Sequence, residues 1–180
     1  MEIFFIKKEE FLNKNGIDFI EPFVDKDFKS GKRKVEYGLG RFILNFALKN
    51  FYKIKDFEIE IKDEKPVLKN GEIHFSISHS KNLVMAVFGA KNAGLDVEFI
   101  KDRNFEAFSN YFGQKFQNKE DFYSFWTQKE AKFKLKEEPE ELLTFKFLND
   151  YMVSIASAAK ILPLNLYEIG EDLCLRKSEF

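Results

Sequence analysis

Asp96 and Glu98 stand two residues apart in Gly94-Leu-Asp-Val-Glu98, with Leu95 and Val97 between and before them. In a strand, where side chains alternate, both carboxylates leave one face and both aliphatic groups the other. Two like charges side by side repel, and the pair becomes favourable when a cation sits between them. By itself Asp-x-Glu also describes an ordinary solvated strand face. Further along, Trp126, Glu130 and Lys134 recur at every fourth position of Phe125-Trp-Thr-Gln-Lys-Glu-Ala-Lys-Phe-Lys134. On a helix these three stack along one side, which alone reads as a surface helix with a Glu/Lys pair one turn apart. His79 follows a strand-like run at the start of a turn, a position from which to touch a ligand or simply to meet solvent. Lys32-Arg33-Lys34 precedes a helical segment, so it either solubilises the surface or grips a phosphate with the helix N-terminal amides behind it. The two histidines and the single Cys174 do not make a zinc site.

The elements that must position these groups can be read from hydrophobic periodicity. Residues 2–6 form a first strand, and little can be placed from there to residue 28. Over residues 35–51, Val35, Leu39, Phe42, Ile43, Phe46 and Ala47 recur with helical spacing. Gly38 and Gly40 inside that helix each cost about 1 kcal/mol relative to alanine, which predicts close packing against a neighbour. A strand at 57–61, a turn at 65–67, a half-buried strand at 73–78, a polar turn at 79–82 and strands at 83–90 and 94–99 make a meander. Helix and loop follow over 102–117, then a helix over 119–135 and a charged break over 136–140. Segments 143–148 and 151–157 read as a hairpin around Asn149-Asp150, and 164–169 as a last strand. Strand, helix and strand blocks in both halves predict an α+β chain of two lobes of similar size.

At 180 residues the chain can bury one sizeable core or two small packed lobes. With 44% hydrophobic and 33% charged residues it reads as globular rather than disordered. A net charge of −1 gives no bulk electrostatic case for nucleic acid or an anionic membrane, so an anionic ligand needs a local cluster of cations. One cysteine excludes a disulfide within the chain. The apolar run at the N-terminus is too short for a signal peptide, and no run approaches a membrane span. The expectation is a reduced, cytoplasmic protein.

Taken in order, Lys65-Pro66, Phe75-Ser-Ile-Ser-His-Ser80, Gly94-Leu-Asp-Val-Glu98 and Trp126-Thr-Gln-Lys-Glu-Ala-Lys-Phe-Lys134 resemble the 4′-phosphopantetheinyl transferase superfamily. The likeness is greatest to its surfactin-synthetase-activating branch, and it extends upstream to Lys32-Arg33-Lys34-Val-Glu-Tyr-Gly-Leu-Gly-Arg41. It covers roughly residues 30–135, and the last two blocks are its specific ones. The resemblance implies an α+β fold of two pseudo-symmetric lobes, 1–90 on the coenzyme A nucleotide side and 91–180 carrying the metal-binding strand and helix. They would form one compact unit, with the active site in the cleft between them.

Position by position, the resemblance implies that Asp96, Glu98 and Glu130 bind Mg²⁺. Lys134 would contact the transferred phosphate and His79 the coenzyme A diphosphate. Arg33 and Arg41 would grip the 3′-phosphate, and Ser78 and Lys65 would line the nucleotide pocket. The implied reaction moves 4′-phosphopantetheine from coenzyme A to a serine of an apo acyl or peptidyl carrier protein, as in fatty acid biosynthesis, releasing 3′,5′-ADP. Mg²⁺ takes oxygen ligands, which carboxylates and diphosphate supply. Three carboxylates and a diphosphate outweigh its charge, which is why Lys134 and His79 would be needed at the same place. Serine needs a base, either Glu130 or a water held by the metal. A monomer that uses neither nucleic acid nor membrane is expected. The alternatives are a non-catalytic coenzyme A or carrier-protein binding module of the same fold, and a metal-dependent phosphodiesterase that attacks with water. The chain departs from the branch in being short, in its N-terminal segment, and in having Lys136-Glu-Glu-Pro139 where a Gly-rich stretch is common.

Overall fold

The first strand, β1 (Glu2–Lys7), runs directly into α1 (Lys8–Asn15), and a 3₁₀ turn, Ile17–Phe23, follows. The computed structural model describes residues 1–71 and 73–178. Helix α2 (Gly31–Phe46) starts where the Ser30 hydroxyl accepts a hydrogen bond from the Arg33 N–H, and it closes in a π-helical turn, Ala47–Phe51. Then come β2 (Ile59–Lys62), β3 (Lys65–Leu68), β4 (His74–Ser80), β5 (Leu83–Gly89), β6 (Ala93–Phe99), α3 (Phe105–Phe112) and α4 (Lys119–Leu135). The chain finishes with β7 (Glu141–Phe147), β8 (Tyr151–Ser157), β9 (Asn165–Ile169) and β10 (Leu175–Ser178).

The strands form a five-stranded sheet, β10-β9-β1-β5-β4, a three-stranded sheet, β6-β8-β7, and the hairpin β2-β3. In the larger sheet only β1 and β9 run parallel. The alternation of β1 and β5 sorts their side chains into two cores. Phe4, Ile6, Val84, Ala86 and Phe88 pack with Val35, Leu39, Phe42 and Ile43 of α2. Ile3, Phe5, Leu83, Met85 and Val87 pack with Leu95 and Val97 of β6 and Val153 and Ile155 of β8. Helix α2, the large sheet, the small sheet and α4 are therefore successive layers of one α+β structure. The close packing expected at the helix glycines is present: a Cβ on Gly38 would lie 2.8 Å from the Ile20 side chain, and one on Gly40 3.0 Å from Ile77.

Three local expectations need correction. Residues 65–67 are strand, not turn: the reversal lies at Asp63-Glu64, where φ is +50° and +64°, as a two-residue hairpin loop requires. Pro66 is tolerated because β3 belongs only to a two-stranded hairpin. His79 and Ser80 likewise belong to β4, pairing with Val84 and Leu83, and the turn is Lys81-Asn82. Strand β9 is followed by β10, whose Leu-Arg-Lys-Ser is exposed along most of its length and has no apolar alternation to reveal it. Both β9 and β10 join the large sheet, so the passage from one sheet to the other near residue 90 is undone at the C-terminal end. Among the described residues no helix is long and apolar enough to cross a membrane.

Candidate functional site

Strands β4 and β6 meet without a backbone ladder. Three alternate residues of β4 are serines, and the hydroxyls of Ser76, Ser78 and Ser80 accept hydrogen bonds from the N–H groups of Leu95, Val97 and Phe99 at 3.0, 3.2 and 3.0 Å. Two of the same hydroxyls donate onward, Ser78 to Asp96 Oδ1 at 3.1 Å and Ser80 to Glu98 Oε2 at 3.0 Å. As the alternation predicts, Leu95 and Val97 enter the core between the sheets. Gly94, Asp96 and Glu98 share the opposite face, under α4. That helix comes so close that a Cβ on Gly94 would collide with the Ala131 carbonyl oxygen and the Leu135 nitrogen.

Helix α4 lies on the sheet through Tyr123, Thr127, Ala131 and Leu135, all with no exposed surface. Trp126, Glu130 and Lys134, one residue earlier in each turn, flank that stripe. The Lys134 ammonium donates to Asp96 Oδ1 at 2.7 Å, to the Leu95 carbonyl at 2.9 Å and to Ser78 Oγ at 3.1 Å, so its three donors are used. At the other end the Trp126 indole N–H acts on the Glu98 carboxylate, favouring its charged form, while its ring packs with Phe112 and Phe122. Glu130 stands one turn from each. Among the described residues its carboxylate has neither a hydrogen bond nor an ion pair with another group, and Lys134 turns to Asp96 rather than to Glu130.

Burial is the main influence on both strand carboxyls. Asp96, 6% exposed, is pushed above the usual carboxylate range by desolvation, against the pull of Lys134 and Ser78. Glu98 is raised by burial and by the Asp96 charge, against Ser80, Arg103 and Trp126. Asp96 Oδ2 is buried with no hydrogen-bond partner among the described residues.

On the other side of β4 lies a cleft of about 790 Å³ whose lining includes Arg33, Glu36, Tyr37, Arg41, Pro66 and His79. Glu36, 5% exposed, organises one end. Lys8 and Lys32 approach its Oε1 at 3.6 and 3.8 Å, and His79 Nδ1 approaches its Oε2 at 3.5 Å. At the other end the Arg41 Nε donates to the Tyr37 hydroxyl at 3.0 Å, and that hydroxyl donates to Asp25 at 2.5 Å. Lys26 sits 4.5 Å over the Tyr37 ring. Arg41 Nη1 is buried and unpartnered, and the Arg33 guanidinium has no partner among the described residues. A smaller cavity of about 230 Å³ shares Glu64, Pro66 and Ile77 with the cleft and reaches Lys134 and Lys136.

Two clusters thus contain the residues singled out in the sequence. Asp96, Glu98, Ser78 and Lys134 meet at the strand junction, with Glu130 on the adjoining helix face. Arg33, Arg41 and His79 line the cleft. Lys65 lines the smaller cavity with Lys134, but its ammonium is engaged, donating to Asn92 Oδ1 at 2.5 Å and to the Ala93 carbonyl at 2.8 Å, and burial lowers its pKa to about 8. Sequence reasoning gave no role to Glu36, Tyr37 or Ser80. Glu36 and Tyr37 lie inside the quoted Lys32–Arg41 run, and a carboxylate four residues after a lysine was the available signal for Glu36. The spacing of Ser76, Ser78 and Ser80 signalled a polar strand face, but not that the face is buried.

The donor set fits a hard divalent cation in one respect: the carboxylate oxygen Asp96 Oδ2 is buried without a partner among the described residues, which calls for a positive partner. As the side chains stand, no three His, Cys, Asp or Glu groups among the described residues converge tightly enough to hold a metal. No protein-family model matches the chain, and no curated protein is close enough to it in sequence to count as a match.

Proposed function

We propose that the chain is a Mg²⁺-dependent transferase that moves 4′-phosphopantetheine from coenzyme A to a serine of an apo acyl or peptidyl carrier protein, acting in the cytoplasm as a monomer. One observation carries this reading. The buried side-chain polar atoms without a partner among the described residues are Arg41 Nη1 and Asp96 Oδ2. They lie at a position the resemblance gives to an anionic phosphate and at one it gives to a cation. A buried donor and a buried acceptor left unpaired each cost about 1–3 kcal/mol, a cost that a ligand bearing both charges would remove.

In this reading Arg33 and Arg41 hold the 3′-phosphate, with His79 and Lys134 at the diphosphate and Ser78 and Lys65 along the nucleotide side. Two pseudo-symmetric lobes, 1–90 and 91–180, would then meet where β4 abuts β6, the cleft being lined from the first of them. Asp96, Glu98 and Glu130 would hold Mg²⁺, which when bound neutralises diphosphate charge through oxygen coordination. The carrier's serine oxygen bonds to the phosphorus on the pantetheine side. The bond from that phosphorus to the ADP portion breaks, 3′,5′-ADP leaves, and the serine proton passes to a base. Glu130, a carboxylate without a partner among the described residues, or a water held by the metal would receive it. Lys134 must leave Asp96 to reach a phosphate.

A second reading is supported by that ion pair and by the carboxylates' lack of convergence: a module that binds coenzyme A or a carrier without transfer. Incubation with coenzyme A, Mg²⁺ and apo carrier proteins, followed by weighing the carrier, separates the two. A gain of one phosphopantetheine mass is expected. Coenzyme A binding with no mass gain on any carrier would favour the module. Glu130→Gln should abolish transfer in a folded protein, and Lys134→Ala should weaken coenzyme A binding.

A further inference from the structure

The three β4 hydroxyls are alike in what they accept and unlike in what they donate to, and the difference bears on the cation site proposed above, on which this inference rests. Each takes one backbone N–H of β6, which spends acceptor capacity and leaves the single O–H to find its own partner. Ser78 faces Asp96 and donates to Oδ1, and Ser80 faces Glu98 and donates to Oε2. Ser76 faces the level of Gly94, where α4 passes too close for any side chain, and among the described residues its O–H meets none.

We propose that Ser78 and Ser80 are the positioning residues of the cation site. Each hydroxyl is pinned through its backbone bond to β6 and ties down one oxygen of the carboxylate beside it. At Asp96, where the Lys134 ammonium holds the same Oδ1, this leaves the second oxygen, Oδ2, with no hydrogen-bond partner among the described residues. The junction between the sheets and the orientation of the ligands are thereby set by the same two side chains. Ser76 joins the sheets only.

The test is Mn²⁺ binding, followed by isothermal titration with and without coenzyme A, together with thermal unfolding of Ser76→Ala, Ser78→Ala, Ser80→Ala and Ser80→Thr. Each alanine variant loses one bond between β4 and β6, so all three should melt lower. Only Ser78→Ala and Ser80→Ala should also lose Mn²⁺ affinity, by about 10–100-fold, as removal of groups that orient metal ligands does. Ser80→Thr, which keeps the hydroxyl, should restore it. Ser78 also touches Lys134, so Ser80→Ala is the cleaner variant, and it decides the matter if Ser78→Ala does not fold. Wild-type affinity in Ser80→Ala, or equal losses in Ser76→Ala and Ser80→Ala, would overturn the proposal. If the unmutated chain binds no Mn²⁺ with or without coenzyme A, the cation site itself falls, a result distinct from either of those.

Discussion

Glu36 allows Lys8, Lys32 and His79 to share one end of a cleft, because its buried carboxylate offsets charges that would otherwise repel. Burial holds His79 below the ordinary imidazole range. Glu36 opposes that shift, while Lys134, Lys8 and Lys32 add to it. A histidine with a depressed folded pKa binds its proton less tightly than in the unfolded chain. Stability therefore rises with pH from that depressed value up to the ordinary value of about 6.5, and is lost as pH falls through the same window. Replacing His79 by Gln should reduce the slope of melting temperature across it, leaving the part that belongs to His74, which burial also holds low. In Glu36→Gln the opposing charge is gone, so proton NMR of the His79 ring should report a still lower pKa, and a rise would contradict the arrangement. Lys65 offers a second check. With its pKa near 8 and ordinary lysines near 10.4, a small amine reagent such as cyanate, used sparingly at pH 8, should modify Lys65 ahead of other lysines in a peptide map. Even labelling would contradict this.

At the scale of elements, the decisive contact is α4 crossing β6 at Gly94. Gly94→Ala must push the helix away, and Glu130 and Lys134 move with it. The expected cost is at least the ~1–3 kcal/mol typical of overpacking, read from denaturant unfolding, with weaker coenzyme A binding in whatever folds. Lower down, Thr127 shares a buried hydroxyl chain with Ser154 and Thr144, at 2.8 Å for each link. Thr127→Val keeps the shape and removes the link. It should cost about 1–3 kcal/mol, because Ser154 loses a buried partner. Helix α4 itself was legible to the residue, since Asn118 caps its start through the Asp121 N–H and Lys136 ends it in the left-handed region. Strand β3 was not, because a Lys-Pro pair reads locally as a turn and only its pairing with β2 makes it strand.

For the molecule as a whole, β9 lies between β1 and β10 and so fastens the C-terminal end onto the strand that begins the chain. A chain ending at residue 160 would uncover Phe4, Ile3 and Phe5 along one edge of the large sheet. Such a truncation should lose cooperative thermal unfolding altogether, rather than leave a stable first lobe. A sharp two-state melt from the truncated chain would show that the return strands are dispensable.

Periodicity was enough for α2 and most of the strands, because alternating and four-residue apolar spacing are local properties that burial then rewards; α4 was legible instead from a run of helix-favouring residues with no Gly or Pro. It also settled that Asp96 and Glu98 share a face, since the pleat leaves no other choice. Which groups would answer those carboxylates was not local. Lys134 reaches Asp96 because α4 descends onto Gly94, and Ser78 and Ser80 reach Asp96 and Glu98 because two separate sheets abut through side chains instead of backbone. Glu36 gathers Lys8 and His79 from distant parts of the chain. Hydrogen bonds and ion pairs act over a few ångströms, so the partners of a charged residue depend on how layers stack. Stacking is a property of the packed core, and no spacing along the chain records it.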